Sequence, residues 1–130
     1  MRIYLYYTFS NARIKQLKER LTRLGFEVES LFIVPGRFMP RAHFMDILRH
    51  IDDIEDMFAM RSKRMTNEFY ERLSNLSLSQ LYEYAVQDPK IFRDTIIYLP
   101  GDPSKVVFGG DKHELSVLHD RKTRRQQMLT

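Results

Sequence analysis

The first 34 residues combine two apolar runs with one amphipathic helical pattern, and this order restricts the fold more than any other feature of the chain. Residues 3–7 are apolar and aromatic, as in a buried strand, and small polar residues follow at 8–11. Spacings of three and four then predict a helix with the apolar stripe Ile14, Leu17, Leu21 and Leu24. Gly25 ends that helix, and residues 26–34 again have strand character. A strand, a helix and a strand with short connections predict a β-α-β unit with parallel strands.

The rest of the chain places helices in its middle and a β-hairpin near its end. Residues 40–51 and 66–73 carry helical apolar faces, and Ser77 with Gln80 forms a capping box that opens a further helix. Residues 95–99 and 106–108 flank a Pro-Gly-Asp-Pro turn and predict a hairpin. A last short helix is expected to begin at Asp111, before a basic end.

This order of elements predicts an α/β fold, in which a thioredoxin-like sheet is built as β-α-β and β-β-α with a helical insertion between the two halves. We expect a single domain over residues 1–130, because a chain of this length can bury a core of its own. Its thioredoxin-like lobe would comprise 1–36 and 93–130, and its helical insertion 37–92.

Composition excludes several classes of function. The chain has no cysteine, which excludes disulfides, thiolate metal sites and a switch based on its own thiols. No apolar run approaches the roughly 18 residues of a membrane span, and no signal-peptide pattern precedes the first strand. We therefore expect a cytoplasmic protein without membrane contact. The net charge of +4 is spread over the chain, so it fits a solvated basic surface about as well as a phosphate-binding one.

Two groups of side chains invite a functional interpretation that we do not favour. The histidines lack the spacing of metal ligands, and we interpret them as surface or capping residues: His43, His50, His113 and His119. We accordingly expect no metal and no cofactor. Tyr4, Tyr6 and Tyr7 could stack on nucleotide bases, but alternate residues of a strand must face a core, which favours packing.

The turn between the first strand and the first helix is a natural place for chemistry. Ser10 or Asn11 is positioned to cap the helix, whose free N–H groups and dipole favour an anion. In thiol enzymes built this way, the position lowers the pKa of a cysteine. Here Asn11 and Ile14 occupy it, so the architecture of such a site is present without its nucleophile.

Two charged segments lie in the middle of the chain. Residues 52–56 contain four carboxylates in five positions, and residues 61–64 contain three positive charges in four. Taken alone, the first segment is typical of an exposed loop, because such dense like charges are kept apart by water. The second could neutralise nearby carboxylates or touch DNA phosphates.

The chain resembles the Spx branch of the ArsC/Spx family, whose best-known members are transcriptional regulators. Matching residues occur in the family's order along nearly the whole chain: 5–26, 47–49, the acidic segment 52–56, 61–63, 78–82, 88–89, 92–93, 96–97, 109, 114–115 and 121–122. The resemblance implies a thioredoxin-like fold with a helical insertion. The family's Cys-x-x-Cys switch falls on Asn11 and Ile14, which form a degenerate redox site.

The resemblance implies a regulator that binds the C-terminal domain of the RNA polymerase α subunit and has no redox switch. The residues implied in polymerase binding are Arg49, Asp52, Asp53, Ile54, Glu55 and Asp56. The acidic loop is one residue shorter than the family's, and Ile54 stands near the family's glycine. DNA would be contacted only within the polymerase complex, through the phosphate-binding candidates Arg61, Lys63 and Arg64. An arsenate-reductase activity would need a thiolate nucleophile. Asn11 cannot attack arsenate as a thiolate does, so we expect no enzyme activity.

In a second interpretation, the protein has the same fold but does not bind RNA polymerase. The chain would then be a protein-interaction module that occupies an adaptor delivering Spx proteins to proteolysis, or that antagonises a redox-competent relative. The two interpretations differ in whether RNA polymerase, through its α subunit, co-purifies with the protein.

Overall fold

The computed structural model describes residues 1–101 and 103–109, together with Leu115 and Leu118. Its strands and helices are β1 (Arg2–Tyr7), α1 (Ala12–Arg23), β2 (Glu27–Phe32), α2 (Arg41–Arg49), α3 (Asn67–Ser74), α4 (Leu78–Gln87), β3 (Thr95–Leu99) and β4 (Lys105–Phe108). Short 3-10 helices lie at Ile54–Asp56 and Pro89–Ile91.

The four strands form one mixed sheet in the order β2-β1-β3-β4. β1 is parallel to β2, as the β-α-β pattern predicted. β3 is antiparallel to β1 and pairs with β4 as the predicted hairpin. The central strand β1 is therefore bonded on both sides, which suits its continuous apolar and aromatic sequence.

Alternation along the strands divides the apolar residues into two cores. Ile3, Leu5 and Tyr7 of β1 pack on α1, in a core that also contains Ile14, Leu17, Leu21, Phe26, Ile97, Leu99, Val107, Leu115 and Leu118. Tyr6 points to the other face, because successive side chains of a strand alternate. There the middle helices supply the second core: Phe44 and Ile47 of α2, Leu73 of α3, and Leu81 and Ala85 of α4. The packing prediction for the β1 tyrosines is confirmed, since Tyr6 and Tyr7 are buried and Tyr4 is half-buried.

Side chains close the helices where the sequence indicates. Asn11, rather than Ser10, caps α1. The capping box of α4 is present, with Gln80 N donating to Ser77 Oγ and Ser77 N donating to Gln80 Oε1. Thr66 accepts from the backbone N–H of Phe69 and caps α3. Pro40 is the N-cap of α2.

Some boundaries differ from the predicted ones. β2 ends at Phe32, and the chain then turns so that Val34 pairs with Arg37. Gly36 permits this turn with a φ of 84°. α2 ends at Arg49, before Ile51. Leu115 and Leu118 are helical and buried, whereas the other residues of the expected last helix and the basic end lie outside the described residues.

Among the described residues, no helix is long and apolar enough to cross a membrane.

Candidate functional site

The degenerate redox positions serve the structure of α1. Asn11 Oδ1 accepts hydrogen bonds from the backbone N–H groups of Arg13, at 3.0 Å, and Ile14, at 3.3 Å. Ile14 is buried among the residues between α1 and the sheet. The anion site that a helix start normally provides is thus partly filled by the chain's own cap, because two of its free N–H groups are already bonded.

A cleft of about 790 Å³ opens beside this helix start. Its walls come from the turn after β1, from residues 58–62 and 64 after the acidic loop, from residues 90 and 92–94 before β3, and from the end of β4. Five basic side chains line it, namely Arg13, Arg61, Arg64, Lys90 and Arg93, and the carboxylate among the lining residues is that of Asp94. The structure therefore brings cations from separate parts of the sequence to one concave surface.

The three cations of the basic segment, residues 61–64, have different surroundings. Arg64 forms a two-pronged ion pair with Asp88, in which Nη1 donates to Oδ1 at 3.0 Å and Nη2 donates to Oδ2. The hydrogen bond and charge of Asp88 raise the pKa of the Arg64 guanidinium above its usual value. Arg61 lines the cleft, whereas Lys63 is exposed and lies outside its lining. Of the three phosphate-binding candidates, Arg61 and Arg64 thus share the cleft, and Arg64 already has an acidic partner.

The acidic loop, residues 52–56, is exposed, and the residues that follow it anchor it to the core. Asp53 Oδ1 accepts from the backbone N–H of Glu55 at 3.0 Å and begins the 3-10 turn. The two residues that follow the loop are fully buried, since Met57 and Phe58 are 0% and 1% exposed. Phe58 stacks on Phe92 with ring centroids 5.3 Å apart. The loop is consequently held at a fixed place on the core, with Arg49 exposed at the end of α2 shortly before it.

The carboxylates of the acidic loop face solvent, whereas its isoleucine does not. All four are exposed, and none forms an ion pair with another residue in the described ranges: Asp52, Asp53, Glu55 and Asp56. Ile54 is half-buried and packs against the core. Tyr70 lies beside the loop: burial raises the pKa of its hydroxyl, and the charges of Glu55 and Asp53 raise it further.

A polar network that we did not predict lies between β1, α2 and the β3–β4 hairpin. Burial raises the pKa of the Tyr6 hydroxyl, which keeps its proton and forms a hydrogen bond with His43 Nδ1 at 2.5 Å. Tyr98 donates to Asp46, and burial together with this bond raises the pKa of Tyr98 to about 12. Ser104 Oγ donates to the same carboxylate at 2.7 Å. Burial alone would raise the pKa of Asp46, but the bonds from Tyr98 and Ser104, together with the charges of His50 and Arg49, hold that pKa below its usual value.

The histidines differ in their surroundings. His50 caps the end of α2 and lies beside Asp46, as expected of a capping residue. His43 instead is half-buried, with its ring 4.4 Å from that of Tyr4 and 5.0 Å from that of Tyr98. His113 and His119 lie outside the described residues. Within the described part of the chain, no three histidine or carboxylate side chains are grouped as metal ligands.

We expect the stability of the protein to fall as the pH drops below about 6.5, because burial lowers the pKa of His43 below that usual value. Below this pH, His43 binds a proton in the unfolded chain but not in the folded chain, so the free energy of unfolding decreases. Urea unfolding at about pH 7.5 and about pH 5.5 measures this. The decrease should be smaller in His43→Gln than in the wild type. An equal decrease in both proteins would contradict it.

Comparisons with known proteins give the fold a wider context. No protein-family model matches the chain. No curated protein sequence matches it either. Solved structures do match it, and the YffB protein superposes with a TM-score of 0.60 at 10% identity, over 88% of this chain and 96% of that chain.

Two further structures agree with this match. A possible arsenate reductase from Streptococcus mutans has a TM-score of 0.54 at 12% identity, over 73% of this chain and 81% of that chain. An arsenate reductase (ArsC) related protein from Brucella melitensis has a TM-score of 0.53 at 13% identity, over 90% of this chain and 93% of that chain. They confirm the thioredoxin-like α/β fold of ArsC-like proteins, and at these identities the likeness is one of fold alone.

Proposed function

We propose that this protein is a non-catalytic regulator that docks through its acidic loop on the C-terminal domain of the RNA polymerase α subunit. The observation that carries the proposal is the state of the loop. Its four carboxylates are exposed and have no cationic partner among the described residues, while Met57 and Phe58 fix its base in the core. The fold of ArsC-like proteins, to which the Spx resemblance also points, is consistent with this role.

The chemistry of the loop suits a basic protein surface. Exposed carboxylates on a fixed support create a directional negative potential, which speeds the approach of a basic partner and selects its orientation. Tyr70 beside the loop adds a half-buried ring that can accept a lysine or arginine side chain of that partner. Ile54 contributes to the packing under the loop, and we assign polymerase contact chiefly to the carboxylates, with Arg49 at the edge.

The proposal that the protein is not catalytic is supported by the residues at the start of α1. Thiolate chemistry needs a cysteine, and the chain has none. At these positions, Asn11 caps α1 and Ile14 is a buried core residue. Because it lacks cysteine, the proposed regulator has no thiol-based redox switch of its own.

Any contact with DNA belongs to the polymerase complex in this proposal. Arg61 and Lys63 are exposed and form no ion pair with other described residues, so they are free to meet phosphates. Arg64 is assigned to Asp88 instead. With so few phosphates neutralised, the isolated protein should bind duplex DNA weakly and with little dependence on salt.

Affinity purification from a native cell extract tests the proposal. We expect the polymerase α subunit to be recovered with the tagged wild-type protein and with the control Glu19→Lys/Glu27→Lys, whose changes lie outside the acidic loop. It should be lost from Asp52→Lys/Asp56→Lys, a variant that retains the Asp53 cap. Recovery of a proteolytic adaptor without the α subunit would refute polymerase binding and support the interaction-module interpretation.

A further inference from the structure

We propose that the cleft beside the start of α1 binds a phosphate ester carried by a flat aromatic ring, as in a nucleotide. This goes beyond the polymerase docking, because the cleft and the acidic loop have no residue in common, and only Arg61 is shared with the proposed DNA contact. Charge, ring surface and size each point to this class of ligand.

The positive charge of the cleft favours the binding of an anion. Arg13, Arg61, Lys90 and Arg93 line it, are exposed, and form no ion pair within the described part of the chain. Arg64 is already neutralised by Asp88. Asp94 adds one carboxylate to the same lining. The four cations outnumber it, and the resulting positive potential is relieved by bound phosphate oxygens, for which arginine has well-matched donors.

The anion would be held by side chains rather than by the helix start. Asn11 Oδ1 already occupies the backbone N–H groups of Arg13 and Ile14. The flexible guanidinium and ammonium groups of the cleft can therefore set the position of a phosphate without a preformed backbone cradle. This permits a ligand larger than a simple oxyanion.

The walls of the cleft also offer aromatic surface. Phe9 is 54% exposed, which is unusual for so large an apolar side chain. Lys90 Nζ lies 5.9 Å from the Phe9 ring centroid, and the Arg93 guanidinium lies 5.3 Å from that of Phe108. Each wall thus pairs a ring with a cation, the combination that accepts a stacked base and its phosphate together.

The size of the cleft distinguishes such a ligand from a bare anion. Its volume of about 790 Å³ lies within the range of about 300–1,000 Å³ that is typical of sites for small organic ligands. A tetrahedral oxyanion would touch the cations and leave most of this space and the ring of Phe9 in water. A nucleoside phosphate fills both parts, whether it is a free nucleotide or the phosphorylated end of a single strand.

Calorimetric titration of the full chain with adenosine monophosphate, adenosine and inorganic phosphate tests the proposal. We expect the nucleotide to bind at least about tenfold more tightly than either fragment, because only it uses the cations and the ring together. Phe9→Ala should weaken nucleotide binding about tenfold and leave phosphate binding unchanged. Arg13→Gln and Arg93→Gln should each weaken the binding of both about tenfold.

Matched controls separate the site from general electrostatics. Lys15→Gln removes one charge from the same helix outside the cleft, and Leu78→Ala removes an exposed apolar side chain elsewhere; neither should change nucleotide affinity. Equal affinity for phosphate and nucleotide, no effect of Phe9→Ala, an effect of Lys15→Gln as large as that of Arg13→Gln, or no nucleotide binding would each overturn the proposal. Tighter binding of a 5′-phosphorylated hexanucleotide than of the mononucleotide identifies a strand end as the source, and equal or weaker binding identifies a free nucleotide.

Discussion

Reversing two charges of the acidic loop should weaken binding to the C-terminal domain of the polymerase α subunit about a hundredfold, because a like-charge contact across an interface costs several kcal/mol. The variant is Asp52→Lys/Asp56→Lys, in which both residues are exposed and unpaired among the described residues. Titration calorimetry or surface binding measures the dissociation constant. The loss should shrink between about 50 mM and about 500 mM salt, since exposed charges are screened.

The fold provides the control for this experiment. Exposed carboxylates contribute about 0–1 kcal/mol each to folding, so the variant should unfold at nearly the same urea concentration as the wild type. The control Glu19→Lys/Glu27→Lys adds the same positive charge on α1 and β2 and should bind like the wild type. If the loop variant remains folded and binds with unchanged affinity, the acidic loop is not the docking surface.

The largest effect on stability is expected for Phe44→Ala, which should lower the free energy of unfolding by about 3–5 kcal/mol. Phe44 is fully buried, and its ring lies 5.3 Å from that of Tyr82, 5.8 Å from that of Phe92 and 5.9 Å from that of Phe38. Truncation leaves a cavity where α2, α4 and the segment before β3 meet. Urea unfolding followed by circular dichroism measures the change.

Phe9→Ala is the matched control, because it removes the same side chain from an exposed position. Its effect on the free energy of unfolding should stay within about 0.5 kcal/mol, as for most surface substitutions. Similar losses for the two variants, or a loss under about 1 kcal/mol for Phe44→Ala, would show that the core between the middle helices and the sheet contributes less than its packing indicates.

Local patterns explain why so much of the fold could be predicted from the sequence. The stripe at 14, 17 and 21 and the alternation along β1 each depend on neighbours within one element, so their periods of 3.6 and 2 can be read from the chain. The caps at Asn11 and Ser77 depend on donors two or three residues away. Where such local contacts decide the structure, the sequence is sufficient.

The cleft could not be predicted because it depends on contacts between distant parts of the chain. Arg13 and Arg93 are separated by the whole helical insertion, and no local pattern places them on one surface. The partner of Arg64 is equally remote, since Asp88 follows 24 positions later. No spacing in the sequence indicates the hydrogen bond between His43 and Tyr6, which arises from the packing of α2 on β1. Only tertiary structure assigns these residues.

Zero-length carbodiimide cross-linking between this protein and the C-terminal domain of the polymerase α subunit tests the docking proposal most directly, because it joins only carboxylates and lysines that are in contact. The four loop carboxylates all lie in one tryptic peptide, residues 50–61. We predict that mass spectrometry finds this peptide joined to lysines of the polymerase domain, and that the links decrease at high salt. A complex whose links come instead from Glu19, Glu27 or other carboxylates outside the loop, or a failure to form any complex, would contradict the proposal.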